Sequence, residues 1–188
     1  MAALEKRAVA GSFIFKNPDD ADNPDARPQV ALFRRSGAVS TYQHKYAPIA
    51  GSIEASDTSP LATAWRELRE ETALAPPSLR LLRQGKPYSF ADAAVGREWA
   101  IHPFAFVLAP GARIALDWEH EGYAWFDPAA VTDDAAFGGV PRLLESLRRV
   151  CFDIDMGRAA ARVLERGLAA LREDHDSGAR QLASAALG

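Results

Sequence analysis

The sequence predicts an α/β fold, and three observations predict it. Apolar, β-prone runs recur along the chain, among them AVAGSFIF, QVALFRR and REWAIHPFAFVL. The hydrophobic period changes to a helical one between Ser59 and Thr72. The 188 residues are 48% apolar and 25% charged, enough to bury the core of one ordinary domain plus a little more.

The elements follow in order. Ala8 to Phe15 reads as a buried strand. Lys16 to Pro28 is rich in proline and aspartate without apolar periodicity, so it reads as an exposed loop. Gln29 to Arg35 is a second strand, and the two form a hairpin. The turn-rich, aromatic stretch SGAVSTYQHKYAPIAGS reads as short strands or a binding loop. Leu61, Trp65, Leu68 and Thr72 then recur at i, i+4, i+7 and i+11, a narrow helical stripe. Asp57, Thr58 and Ser59 are candidate N-caps, Pro60 suits the first helical turn, and Ala75-Pro76-Pro77 ends the helix. Leu79 to Phe90 and Arg97 to Leu108 read as strands. Gly111 to Asp127 reads as a short strand, a polar loop and another strand ending at Trp125-Phe126. Pro141 to Val150 is a helix with proline at its start. An Ala-rich amphipathic helix follows, with Val163, Leu164, Leu168 and Leu171 on one face, then a turn and a last short helix. The division is a first domain over residues 1–150 and a helical segment over 151–188.

Composition excludes several function classes. A net charge of -3 with no basic stripe gives no footprint for nucleic acid. No apolar run is long enough for a membrane span, and the polar N-terminus is no signal peptide. One cysteine, Cys151, rules out an internal disulfide and a four-cysteine zinc site, and it reads as a small buried hydrophobe. The expected compartment is the reducing cytoplasm. His44, His102 and His120 show no metal-ligand spacing.

The chemistry points to Glu67, Glu70 and Glu71. On a helix they are i, i+3 and i+4, within an arc of about 100° and roughly 130–140° from the apolar stripe. Like charges so spaced destabilise a helix by a few tenths of a kcal/mol per pair. Pairing with Arg66 and Arg69 offsets that in one reading. In the other, the trio serves a hard divalent cation, since Mg²⁺ takes carboxylate oxygens together with waters and bound phosphates.

This stretch resembles the signature box of the Nudix hydrolases. Gly51 matches the opening glycine, Asp57 stands at the first glutamate, and Arg66, Glu67, Leu68, Glu70, Glu71 and Leu74 match the core. The match departs in three places. Eight residues rather than seven separate Asp57 from Arg66, Asp57 replaces a glutamate, and Ala73 replaces a glycine that serves backbone geometry. The stretch Glu119 to Pro128 also looks like the family segment in which an acid precedes a strand carrying tryptophan.

The resemblance implies an α/β/α sandwich with a mixed central sheet over residues 5 to 150. It implies a Mg²⁺-dependent pyrophosphohydrolase, with Mn²⁺ as the alternative ion, that cleaves a nucleoside diphosphate linked to another moiety. ADP-ribose or a nucleotide sugar is the first guess. The implied metal ligands are Glu67, Glu70 and Glu71, with Arg66 orienting them. One of these three glutamates, or an acid outside the box, would take the proton of the attacking water; the candidates outside are Glu119 and Glu121, with Glu98 third. Gly51 and Ser52 would form the turn beside the phosphates, with Arg34, Arg35 or Lys45 as phosphate contacts. Tyr42, Tyr46, Tyr88, Phe90, Trp99 and Trp118 are candidates for stacking on a base. The implied partner is a small nucleotide, and the family implies a homodimer.

A weaker resemblance concerns the tail. Helical residues followed by Asp174 to Ala179 look like the start of an initiation-factor-2B-like sugar-phosphate isomerase such as ribose-1,5-bisphosphate isomerase. It implies either the truncated start of a second domain or a segment that survives as a helical appendage. The alternative function is then a non-hydrolytic nucleotide sensor that regulates an attached or partner isomerase-like domain.

Overall fold

Continuous burial of the long strands places the sheet between two helical layers. The computed structural model describes residues 4–16, 27–151, 163, 166 and 167. The chain divides into two units, Met1–Phe152 and Asp153–Gly188. In the second, Val163, Arg166 and Gly167 are helical. The remaining expectations for the tail, and most of the loop after the first strand, lie outside the described residues.

Among the described residues the first unit holds eight strands in one mixed sheet. They are β1 (Glu5–Lys16), β2 (Gln29–Arg35), β3 (Tyr46–Ala47), β4 (Ile49–Ser52), β5 (Leu79–Gln84), β6 (Tyr88–Asp92), β7 (Arg97–Leu108) and β8 (His120–Phe126). Two helices join them, α1 (Pro60–Thr72) and α2 (Leu143–Arg148). β1 is the spine of the sheet. It runs parallel to β7 along one edge. Along the other it pairs antiparallel with β4 and then with β2. β7 carries β6 and β5 on its far side, and β2 carries β8.

Period two assigns the faces. Ala10 and Ile14 of β1, Ala31 and Phe33 of β2, and Phe104 and Phe106 of β7 pack against Ala64 and Leu68 of α1. The alternate residues Phe13, Phe15, Val30, Leu32 and Ala105 pack against Leu143 and Leu147 of α2. Both faces are covered, which is why these strands read as continuous apolar runs. The fold is therefore the α/β/α arrangement expected.

α1 begins where the local chemistry sets it. The Ser59 hydroxyl accepts from the Ala62 N–H at 3.2 Å, and Pro60 opens the first turn. The expected stripe is buried or half-buried, but the packed face is wider, because Ala64 and Glu71 are buried too. The helix ends at Ala73, which adopts φ +56° and donates its N–H to the Arg69 carbonyl. This left-handed C-cap is a glycine position.

Some expectations are corrected. Leu79 to Phe90 makes two strands on β7, interrupted at residues 85–87, where the Gly85 N–H still bonds the Pro103 carbonyl. Residues 111–116 form no strand. Ala115 N–H bonds the Thr72 carbonyl, so this segment is tied to the end of α1. α2 starts at Leu143, later than expected, with Arg142 at φ +62° before it and the Asp133 carboxylate accepting the Leu144 N–H. Cys151 is half-buried beside the α2 core. Among the described residues no helix is long and apolar enough to cross a membrane.

Ala73 carries a left-handed penalty of about 1–2 kcal/mol that glycine avoids, partly offset by glycine's greater freedom in the unfolded chain. Ala73→Gly is expected to raise stability by up to about 1 kcal/mol, or about 2–4 °C in Tm, in a thermal melt. A fall in Tm would show that the cap is not strained.

Candidate active site

The three glutamates of α1 have three different environments. At about 100° per residue, Glu71 sits at the edge of the face that packs on the sheet, Glu67 one step beyond, and Glu70 on the solvent side. Their side chains are 4%, 13% and 57% exposed. The expectation that all three project from a separate face is therefore corrected, because the packed face extends to Glu71.

Arg66 organises the outer part. Its Nε and Nη2 donate to the two Asp57 carboxylate oxygens at 3.2 and 3.0 Å, and Nη2 also donates to the Ser52 carbonyl at 3.1 Å. Nη1 donates to Glu67 Oε1 at 2.6 Å and to Glu70 Oε2 at 3.2 Å. Asp57 accepts further from the Glu54 N–H and the Thr63 hydroxyl. These bonds, Arg66 first, hold its carboxyl well below the usual carboxylate range. Asp57 is thus the anchor of the arginine, a role that the motif match alone did not reveal.

Glu71 is held the other way. Burial first, then the adjacent Glu67 and the charges of Glu119 and Asp117, raise its pKa far above the carboxylate range. His120 stands beside it, with Nε2 3.5 Å from Glu71 Oε2 and Nδ1 3.4 Å from Asp117 Oδ1. Glu119 is also raised, by burial and then Asp117, while Arg35 opposes the shift.

A cleft of about 310 Å³ adjoins these groups. Gly51, Ser52, Glu67, Glu119 and Arg35 line its polar end. Tyr42, Tyr88, Phe90 and Trp99, four of the six aromatic candidates, are among the residues that line the rest. Trp99 Nε1 donates to the Tyr42 hydroxyl at 2.9 Å, which donates to Asp92 Oδ2 at 2.8 Å. Burial and then Asp92 push the Tyr42 hydroxyl up to about 12, so it stays a donor. Tyr46 instead packs in the core against Phe126, and Trp118 is 65% exposed.

Three other candidates lie apart. Phe33 faces α1, so Arg34 leaves β2 on the opposite face and pairs with Glu121 at 3.2 Å; His44 holds the other Glu121 oxygen. Neither Arg34 nor Glu121 lines the cleft, and alternation places Arg35 there instead. Glu98 is half-buried, 4.0 Å from Lys6.

Among the described residues no three acidic, histidine or cysteine side chains converge closely enough to hold a metal ion as placed. Arg66 draws Glu67 and Glu70 toward itself. The donor set still fits a hard divalent cation in kind. It is all oxygen, and it crowds like charges around a buried carboxyl, a cost that a bound cation offsets.

Gly51 permits this crowding. A Cβ there would collide with the Glu67 carboxylate, a flexible group that can swing aside. Gly51→Ala is expected to fold with a near-native Tm and to lose at least about 10-fold in metal-dependent activity through displaced Glu67. Full activity would show that Glu67's position is immaterial.

The raised Glu71 gives a pH test with a definite sign. Below the ordinary value of 4.5 the acid is protonated in both folded and unfolded chains. Above it only the unfolded chain ionises, so stability falls by up to about 1.4 kcal/mol per pH unit. In EDTA, Glu71→Gln is therefore expected to gain on wild type as pH rises above 5 in urea titrations. A constant gap would mean that Glu71 titrates normally.

Comparison with known proteins places this geometry. The NUDIX domain family model matches residues 14–149. No curated protein matches the chain by sequence. Among solved structures, the Ap4A hydrolase of C. elegans, in a binary complex, is similar at TM-score 0.58 and 15% identity, covering 85% of this chain and 98% of that one. A Nudix hydrolase of M. smegmatis, RenU, is similar at TM-score 0.58 and 18% identity, covering 77% and 83%. The NUDIX domain of Shewanella oneidensis NrtR, complexed with ADP ribose, is similar at TM-score 0.55 and 18% identity, covering 87% and 90%. With the family model spanning most of the chain and the carboxylate-bearing helix in place, the protein belongs to the NUDIX family, hydrolases of phosphorus-containing acid anhydrides.

Proposed function

We propose that this protein is a Mg²⁺-dependent pyrophosphohydrolase that cleaves the diphosphate of a nucleoside diphosphate linked to another group. One observation carries the reading. A single cleft joins an acidic end, at Glu67 and Glu119, to an aromatic wall at Tyr42, Phe90 and Trp99. The first end suits a cation with phosphates and the second a base. ADP-ribose and nucleotide sugars come first among substrates, since one similar structure holds ADP ribose, and dinucleoside polyphosphates come next, since another is named an Ap4A hydrolase.

The residues divide the work. Glu67, Glu70 and Glu71 would hold the cation, with Mn²⁺ an alternative to Mg²⁺. Bound there, a divalent ion screens phosphate charge and lowers the pKa of a water. Arg66 holds Glu67 and Glu70 in place. Glu119, raised by its surroundings and lining the cleft, would accept the proton of the attacking water. Arg35, half-buried at the same end, would meet a phosphate oxygen. Gly51 and Ser52, which end strand β4 rather than form the turn expected from the sequence, line the cleft beside it.

A second reading, binding without hydrolysis, is favoured by the carboxylates that do not converge. A panel of ADP-ribose, nucleotide sugars, NADH, dinucleoside polyphosphates and triphosphates, assayed with Mg²⁺, separates the two. Turnover of one class is expected, with Glu70→Gln and Glu71→Gln each losing at least about 10²-fold in kcat. Binding without turnover across the panel would establish the sensor reading.

A further inference from the structure

β8 contains a dislocation with a consequence for Glu71. Phe33 pairs with Tyr123 and Arg34 with Gly122, but Arg35 pairs with His120, so Glu121 is an extra residue in β8. Tyr123 and Trp125 are on the α1 side, where Tyr123 meets Phe33 and Trp125 packs on the α1 core. Strict alternation would put Glu121 on that side and His120 on the other. A one-residue shift reverses faces, and bulges re-aim side chains beside sites. Here the bulge sends Glu121 out to Arg34 and turns His120 inward.

The ring it turns in is buried, and its packing leaves both nitrogens unused. The His120 side chain is 1% exposed, and it meets Phe33 edge-on at 5.4 Å between centroids. Neither ring nitrogen has a hydrogen-bond partner among the described residues. Buried polar atoms left so are costly, and an apolar ring would pack there without that cost. Both nitrogens nevertheless lie beside acids, Nε2 3.5 Å from Glu71 Oε2 and Nδ1 3.4 Å from Asp117 Oδ1. Asp117 is itself fixed, because its Oδ1 accepts the Glu119 N–H at 3.0 Å and its N–H bonds the Glu71 carbonyl.

We propose that His120 is a positioning residue for Glu71, a buried ring braced against Asp117 that aims the Glu71 carboxylate at the cation. The inference rests on the metal role proposed for Glu71. It assigns His120 no contact with the ion or the substrate. Groups that hold a metal ligand from behind are worth about 10–100-fold in metal affinity.

The test is Mg²⁺ titration by calorimetry of wild type, His120→Phe and His120→Gln, with Tm recorded in EDTA. His120→Phe is expected to weaken Mg²⁺ binding about 10–100-fold while its Tm in EDTA is unchanged or higher. His120→Gln, whose amide reaches the place of Nε2, is expected to recover most of that affinity. Lower Tm with wild-type Mg²⁺ affinity in His120→Phe would overturn the proposal. Should that variant not fold, Asp117→Asn decides by the same titration, with weaker binding in support and unchanged binding against. Wild type that binds no Mg²⁺ would instead remove the metal reading, and this inference with it.

Discussion

The guanidinium of Arg66 is the joint on which the candidate site depends. It closes a two-pronged contact with Asp57, takes the Ser52 carbonyl, and reaches Glu67 and Glu70 with its remaining nitrogen. One group therefore ties the end of β4, the turn before α1, and two of the three glutamates. A lysine has no such fork, and a point charge would not fix three directions at once. The turn can carry an extra residue because its geometry is set by this fork and the Asp57 bonds rather than by loop length. Because the fork is partly exposed, its value lies in orientation more than in stability.

Behind this joint the structure accepts an electrostatic cost. Glu71 is almost wholly buried, with Glu67, Asp117 and Glu119 around it and His120 beside it. Neutral Glu71 is the form that suits the cation-free fold, and a divalent ion would have to displace its proton. Gly51 and the bulge in β8 belong to the same arrangement. One removes a side chain so that Glu67 can approach, and the other turns His120 toward Glu71. Two backbone features thus serve one small cluster of acids.

The fold was largely legible because burial on both faces leaves long apolar strands, and one helix with a clear cap stands between them. β2 and β7 match the runs read from sequence residue for residue. What failed was local. The segment 111–116 is apolar because it packs on the end of α1, not because it extends a sheet. The packed face of α1 is wider than its apolar stripe, since a charged residue such as Glu71 does not announce its own burial. At the site, the signature carried the helix residues and Glu119, but nothing in the spacing distinguished Arg34 from Arg35 or Glu121 from Glu119. Strand parity makes the first distinction, and a bulge, invisible without its partner strand, makes the second. Asp57 was visible as a substitution, and its anchoring role needed the distance to Arg66.

The central claim is that these acids form a divalent-cation site beside the cleft. A crystal grown with Mn²⁺, measured for anomalous scattering, tests it most directly. The account predicts a peak bound by Glu67, Glu70 and Glu71, with Arg66 still on Asp57. No peak there, with the carboxylates still held by Arg66, would contradict it.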